Sequence, residues 1–183
     1  MKPQTLILID VQQGFDNPAW GKRNNPDAEQ KIARLLAFWR QNSWPVIHVR
    51  HCSLSPGSPL AEGQPGNAYK PESEPMDGEP DFKKSVNSAF IGTDLESYLR
   101  AHDAQALVMA GLTTDHCVST SVRMAANMGF DVTMISDATA TFDRTGPDGT
   151  YYPAELMHAI NLASLNGEFC KVVSTGTLLE TME

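Results

Sequence analysis

The residue best placed for covalent chemistry is Cys117, which lies between an apolar run and a helical pattern. The run 106–110 is short, contains valine and ends at Gly111, so it predicts a buried strand. Apolar residues recur at helical spacing over 118–128, which predicts a helix closed by Gly129. A cysteine at such a turn faces free backbone N–H groups, which favour a thiolate and can bind a developing oxyanion. A buried cysteine without chemistry is the alternative.

Two charged residues are expected to lie near Cys117. Asp10 ends the first apolar run, and Lys84 follows a long irregular segment, 52–80. In a parallel sheet, ligands bind beyond the carboxyl ends of the strands. If the three side chains converge there, a carboxylate can take the thiol proton while an ammonium stabilises the anion. A loop tether for Asp10 and a solvated charge for Lys84, beside Lys83, are the alternatives.

Strand patterns and helix patterns alternate along the chain. The predicted strands cover residues 5–9, 46–49, 106–110, 131–135 and 169–173. The predicted helices start near 27, 93, 118 and 153. We therefore predict a single domain over residues 1–183 with an α/β fold, in which a mostly parallel sheet of about six strands carries helices on both faces in three layers.

Composition excludes several classes of protein. The chain has 183 residues and a formal net charge of -8, which argues against nucleic acid as a partner and gives no reason to expect an anionic membrane surface. No apolar run is long enough to span a bilayer, and the first residues show no signal-peptide pattern. Cys52, Cys117 and Cys170 lack the C-x-x-C spacing of a zinc cluster. We expect a cytoplasmic protein.

Three segments of the sequence resemble the isochorismatase-like cysteine hydrolases. They read LIDVQQGF at 8–15, KSVNSAF at 84–90 and GLTTDHCV at 111–118. Each segment is a weak signal alone, but the three occur in the order and at the separations of that family. Lys84, rather than Lys83, matches the family lysine because it lies four residues before Ser88.

The resemblance implies a function and a catalytic apparatus. It implies a triad of Asp10, Lys84 and Cys117, an oxyanion hole of the Thr113 and Cys117 amides, and a non-proline cis peptide before Thr113. The implied activity is hydrolysis of a small carboxamide or carbamoyl compound through a thioester acyl-enzyme, without a cofactor. Two alternatives stay open: a vinyl-ether hydrolase of the isochorismatase type, which does not require the cysteine, and a non-catalytic ligand-binding domain that keeps the fold.

Aromatic and imidazole side chains near the expected site are candidates for a substrate pocket. We expect it to be lined by Phe15, His51, Phe90, His116 and Phe142. Packing within the core is the alternative for the aromatic residues. Arg50 and Arg144 could bind a substrate carboxylate, or could be surface charges.

No bound metal is expected. Nicotinamidases of the resembled family carry an Asp-x-His motif after the second strand, whereas this chain has His48-Val49-Arg50-His51-Cys52 there, without the aspartate.

We expect a homo-oligomer, either a homodimer or a homotetramer. The family resemblance implies association. Segment 52–80 adds a reason, since it is polar, rich in proline and too long for a free connector, so that docking on a second subunit would order it. A mobile lid on a monomer is the alternative.

Overall fold

Six parallel strands form one sheet in the computed structural model, which describes residues 3–182. In chain order the strands are Thr5–Ile9 (β1), Val46–His51 (β2), Asp81–Lys84 (β3), Ala106–Leu112 (β4), Asp131–Ala140 (β5), Arg144–Thr145 (β6), Tyr151–Tyr152 (β7) and Lys171–Val173 (β8). The large sheet has the order β3-β2-β1-β4-β5-β8, and every neighbouring pair is parallel. The strands β6 and β7 form a separate antiparallel hairpin.

Within residues 3–182, five α-helices accompany the sheet. They are Ala28–Gln41 (α1), Leu95–Ala101 (α2), Ser119–Asn127 (α3), Ala154–Leu165 (α4) and Thr175–Met182 (α5). A π-helical turn, Thr114–Val118, leads into α3. None of the helices within residues 3–182 has the length and apolar character needed to cross a membrane.

The side chains of β1 show how the helices are divided between the two faces. All five residues of the strand are buried, as expected for a central strand of a parallel sheet. Ile7 and Ile9 pack into a cluster with residues of α2, α3 and α4, whereas Leu6 and Leu8 pack into a second cluster with α1 and α5. Because successive side chains of a strand point to opposite faces, the sheet lies between two helical layers. The predicted three-layer α/β fold is confirmed.

The elements that sequence patterns did not predict lie at the periphery. Strand β3 is an edge strand of four residues, three of them charged, so it lacks the apolar run by which the central strands were recognised. The hairpin of β6 and β7 has only two residues in each strand. Strand β5 continues to Ala140, five residues beyond the predicted end at Ile135. Helix α5 was also missed.

Segment 52–80 is ordered by contacts within its own chain. The Asn67 side chain is buried and donates hydrogen bonds to the carbonyls of His51 at 2.9 Å and Leu60 at 2.8 Å. The buried Ser73 hydroxyl donates to the carbonyl of Val11 at 3.2 Å. Buried polar groups hold the segment in place, although it has few apolar residues to pack. Its ordering therefore does not require a second subunit.

The end of the segment is held by Glu79. Its carboxylate accepts hydrogen bonds from Arg40 Nε at 2.8 Å and from the main chain of Met76, and it lies 2.8 Å from Nε2 of His48. Burial acts to raise the pKa of Glu79, but these hydrogen bonds lower it to about 2. His48 is fully buried in β2, and its ring is in hydrogen-bond contact with the carboxylate of Glu79.

The homo-oligomer stays a prediction that rests on the family resemblance. We expect light scattering at micromolar concentration to give a mass of two or four chains of 20.0 kDa. A mass near that of one chain would reject the expectation.

Candidate active site

The carboxyl ends of neighbouring strands bring the three predicted catalytic residues together. Lys84 ends β3, Asp10 directly follows β1, and Cys117 lies in the turn after β4. The strands β1 and β4 are adjacent, and Gly111 allows their close approach, because a Cβ at that position would lie 2.0 Å from the carbonyl oxygen of Ile9. The strand order therefore places a carboxylate, an ammonium and a thiol at one edge of the sheet.

Lys84 lies at the centre of this group. Its Nζ is 2.6 Å from Oδ2 of Asp10, 3.3 Å from Sγ of Cys117 and 3.1 Å from Nδ1 of His51. Asp10 is fully buried, Lys84 is 2% exposed and Cys117 is 8% exposed. Ion pairing and hydrogen bonding offset the cost of burying the two charges.

The proton in this group is held by the thiol at rest. Burial raises the pKa of the Asp10 carboxyl, and the neighbouring Lys84 opposes that rise. Burial, followed by the carboxylate of Asp10, raises the pKa of the Cys117 thiol far above its usual range. One ammonium balances one anion, and the carboxyl group is intrinsically the stronger acid. Burial thus outweighs the helix start and Lys84, the two features that favour a thiolate.

Asp10 has an oxygen free to receive that proton. Its Oδ2 is occupied by Lys84, while its Oδ1 is buried and has no hydrogen-bond partner within residues 3–182. One carboxylate oxygen of Asp10 and the sulfur of Cys117 lie within 4.8 Å of each other. The carboxylate can act as a general base toward the thiol once a substrate is bound.

The turn that carries Cys117 begins at an unusual peptide bond. The bond between Leu112 and Thr113 is cis. Thr113 and Cys117 both line the same cavity, which places the two residues of the expected oxyanion hole on the side from which a substrate would approach.

The cavity above the thiol is small, with a volume of about 80 Å³. Its lining comprises Asp10, Phe15, Trp20, His51, Leu60, Thr113, His116, Cys117 and Arg144. Asn87 is exposed beside it and brings Oδ1 to 4.0 Å from Sγ of Cys117. The cavity therefore has one apolar wall, formed by Phe15, Trp20 and Leu60.

The five expected pocket residues are divided between the cavity and its surroundings. Phe15, His51 and His116 line the cavity, whereas Phe90 and Phe142 are absent from its lining. Phe142 stacks behind the aromatic wall, with its ring centre 6.3 Å from that of Phe15. Phe90 is buried and stacks on a core ring. Both residues thus have the packing role that the sequence left open.

Leu60 was absent from the expected pocket, although it is one of the few apolar residues of segment 52–80. It is 5% exposed and packs in one cluster with Phe15. An apolar residue in an otherwise polar segment was the signal that could have identified it.

Arg144 reaches the cavity with its charge already compensated. Its guanidinium donates from Nε to Oδ2 of Asp115 at 2.8 Å and from Nη2 to Oδ1 at 3.1 Å. Burial acts to raise the pKa of Asp115. The pKa nevertheless lies below its usual value, because Thr141 donates a hydrogen bond to the carboxylate and the charges of His116 and Arg144 stabilise it. Arg50 is paired with Asp81 at 2.6 Å and does not line the cavity. A substrate carboxylate would therefore compete with Asp115 for Arg144.

A larger groove, of about 610 Å³, lies away from the thiol beside Arg23, Glu29 and Lys70. Glu29 accepts hydrogen bonds from Arg23 at 2.8 and 2.9 Å, and Lys70 lies 2.9 Å from the same carboxylate. Lys70 also pairs with Asp16, so the two cations and two carboxylates neutralise one another, and neither Cys117 nor Asp10 lines the groove.

A metal site does not fit the triad region, although three possible ligands converge there. One ligand atom each of Asp10, His51 and Cys117 lies within 4.8 Å of the others. Nζ of Lys84 is in hydrogen-bond contact with all three, so the ammonium occupies the position that a cation would need. A metal ion would have to displace a buried lysine from its ion pair.

We accordingly expect catalytic activity to survive exhaustive chelation. Turnover should be unchanged after dialysis against EDTA, because the positive charge of the site is covalently part of the chain. Loss of turnover with EDTA, restored by a divalent ion, would show that a metal takes the place of Lys84.

Comparison with known protein families decides the classification of the chain. The model of the isochorismatase domain matches residues 4–176. The chain belongs to the isochorismatase family. It is a hydrolase of this family by both its sequence and its fold.

Relatives in the isochorismatase family include uncharacterised proteins and amidohydrolases. The isochorismatase family protein YrdC of Bacillus subtilis is 45% identical, and the match covers 96% of this chain and 94% of YrdC. A crystal structure described as a hydrolase of the family, from Chromobacterium violaceum, is 47% identical with a TM-score of 0.96, and covers 98% of this chain and 93% of that one. The ureidoacrylate amidohydrolase RutB of Agrobacterium fabrum is 34% identical over 79% of this chain and 71% of its own length.

Proposed function

We propose that the protein is a cysteine-dependent amidohydrolase that cleaves a small carboxamide or carbamoyl compound through a thioester acyl-enzyme. The observation that carries the proposal is the position of Lys84 Nζ, which contacts the carboxylate of Asp10 and the sulfur of Cys117 together. A relative named as an amidohydrolase supports the same reaction class. Cys117 favours amide cleavage over vinyl-ether hydrolysis, because vinyl-ether hydrolysis does not require a cysteine.

The first half-reaction transfers the acyl group to sulfur. Asp10 takes the proton of the Cys117 thiol, and the sulfur forms a bond to the substrate carbonyl carbon while the carbonyl electrons move to oxygen. The amides of Thr113 and Cys117 donate to this oxyanion. When the oxyanion collapses, the C–N bond breaks and protonated Asp10 gives its proton to the departing nitrogen. Ammonia or an amine leaves, and a thioester remains.

The second half-reaction restores the enzyme. Asp10, again a carboxylate, takes a proton from water as the water oxygen bonds to the thioester carbon. The C–S bond then breaks, and the sulfur recovers a proton from Asp10. Lys84 keeps its proton throughout and stabilises whichever of its two neighbours carries the negative charge.

The cavity limits the size of the acyl group. A volume of about 80 Å³ corresponds to only about two to three water molecules, since the share of one water in the liquid is about 30 Å³. Its apolar wall suits a short aliphatic or planar acyl group, and the pairing of Arg144 with Asp115 favours a neutral one. A ureido or short carboxamide compound satisfies these conditions.

Ammonia release across a panel of compounds tests the proposal. The panel consists of short aliphatic amides, ureido compounds and nicotinamide. Isochorismate is tested separately by the cleavage of its vinyl ether, which releases no ammonia. We expect turnover of at least one amide or ureido compound with a short acyl part, with falling kcat/KM for larger ones. Failure of every amide together with cleavage of isochorismate would overturn the proposal, as would binding of amides without cleavage.

A further inference from the structure

The imidazole of His51 is a constituent of the site that the triad chemistry leaves without a task. It lines the cavity, and its Nδ1 lies 3.1 Å from Nζ of Lys84. His51 is the last residue of β2 and is paired in register with Lys84, the last residue of β3. The ring and the ammonium are therefore brought together by strand pairing as well as by their own contact.

The ring acts as an acceptor toward the ammonium. Burial, followed by the charge of Lys84, lowers the pKa of His51, so the imidazole is neutral near pH 7. A neutral imidazole has one nitrogen with a lone pair and one with a proton. Because a lysine ammonium can only donate, the nitrogen that faces it must be the acceptor.

The backbone of His51 is held by two buried amide side chains. Gln12, which is fully buried, donates to the carbonyl of His51 at 3.0 Å and accepts from its N–H at 2.9 Å. Asn67 donates to the same carbonyl at 2.9 Å. Burying two amides is costly unless their hydrogen bonds are made, and here three of those bonds are made to one residue. Gln12 and Asn67 thus fix the backbone of His51 independently of its ring.

The three N–H donors of the Lys84 ammonium match the three acceptors around it. An ammonium has three N–H groups, and Lys84 has three acceptors around it, namely Asp10, Cys117 and His51. We infer that His51 is a positioning residue that accepts a hydrogen bond from the third N–H of Lys84 and so fixes the rotation of the ammonium, keeping its other two N–H groups aimed at Asp10 and Cys117. This inference rests on the proposed function and assigns His51 a task distinct from metal ligation or contact with substrate.

Removal of the acceptor has a specific consequence. With His51 replaced by leucine, the third N–H of Lys84 loses its acceptor, so the ammonium is free to rotate toward another one. The hydrogen bond to Sγ, which at 3.3 Å is the longest of the three, is then the first to weaken. The Cys117 thiolate loses stabilisation, and its ionisation moves to higher pH.

The test compares His51→Leu with His51→Asn, in which the side-chain oxygen can replace Nδ1 as acceptor. The rate of Cys117 alkylation by iodoacetamide is followed by mass spectrometry from pH 6 to 10, and kcat/KM is measured on any amide that the wild type cleaves. We expect the leucine variant to lose about tenfold or more in alkylation rate near pH 8, with a profile shifted to higher pH, and the asparagine variant to stay within about threefold of wild type.

Either of two results would overturn the inference. Coincident alkylation profiles for His51→Leu and wild type would show that the ring does not position Lys84, and equal impairment of both variants would show that the acceptor is not what matters. If the leucine variant fails to fold, His51→Ala replaces it with the same expectation, since Gln12 and Asn67 bind only the backbone. Alkylation requires no turnover, so a protein that cleaves no amide would refute the proposed function without deciding this question.

Discussion

Replacement of Cys117 by alanine is expected to lower kcat for amide hydrolysis by at least about 10⁴-fold, because removal of a nucleophile that acts as a unit with its base eliminates the covalent route. The fold should persist, since the sulfur is a small part of the core around it. Ammonia release from the best amide of the panel, measured with enough enzyme to detect residual turnover, gives the ratio.

Cys170→Ala is the matched control for that substitution. Cys170 is also 8% exposed, and burial raises the pKa of its thiol to about 11, but it lies beside β8 and away from Asp10 and Lys84. We expect the control to keep kcat within about twofold. Comparable activity of Cys117→Ala and Cys170→Ala would show that water, and not the cysteine, attacks the substrate.

Replacement of Lys84 by methionine is expected to destabilise the protein by about 3–5 kcal/mol and to abolish activity. The substitution keeps the length of the side chain but leaves the carboxylate of Asp10 buried without its cation, and breaking one side of a buried ion pair has costs of this size. For a chain of this length, such a loss lowers Tm by roughly 6 to 20 °C. Thermal and urea unfolding measure it.

The destabilisation should depend on pH with a defined sign. Burial already raises the pKa of Asp10 above its ordinary value of 3.8, and loss of Lys84 removes the group that opposes this rise. A carboxyl whose folded pKa is raised destabilises the folded state only when ionised, so the effect is smallest below the unfolded pKa and complete above the folded pKa. Urea unfolding of wild type and variant from pH 5 to 9 should therefore show a difference that grows with pH.

The double variant Asp10→Asn, Lys84→Met separates charge from packing. With no carboxylate left to desolvate, we expect it to recover at least about half of the stability lost by Lys84→Met, while remaining inactive. A double variant as unstable as Lys84→Met would mean that lost packing, and not an unpaired charge, explains the single substitution.

The position of the triad could be predicted from the sequence because it depends on strand ends. Asp10 and Cys117 follow apolar strands that are evident from their side chains alone, and the carboxyl ends of parallel strands meet at one edge. Family resemblance was needed to choose Lys84 over Lys83, since the strand that carries both has charged residues at three of its four positions. An edge strand of this kind obtains its structure from its neighbour, which a local pattern cannot reveal.

The charge state of the triad and the shape of the cavity could not be predicted in the same way. The resting proton on Cys117 follows from the burial of Asp10 and the thiol, which no spacing of residues reports. Leu60 enters the cavity because Asn67 and Ser73 fold segment 52–80 back onto β1 and β2. Such buried polar contacts span dozens of residues, and they depend on the completed fold.

Direct observation of the acyl-enzyme tests the central claim, that Cys117 is acylated during turnover. The enzyme is mixed with its best amide, quenched in acid within the first turnovers and measured as an intact protein and after proteolysis. The account predicts an adduct equal to the substrate mass minus the departing ammonia or amine, located on Cys117, labile to hydroxylamine and absent from Cys117→Ala. Hydrolysis without any adduct on Cys117, continuing in the alanine variant, would contradict it.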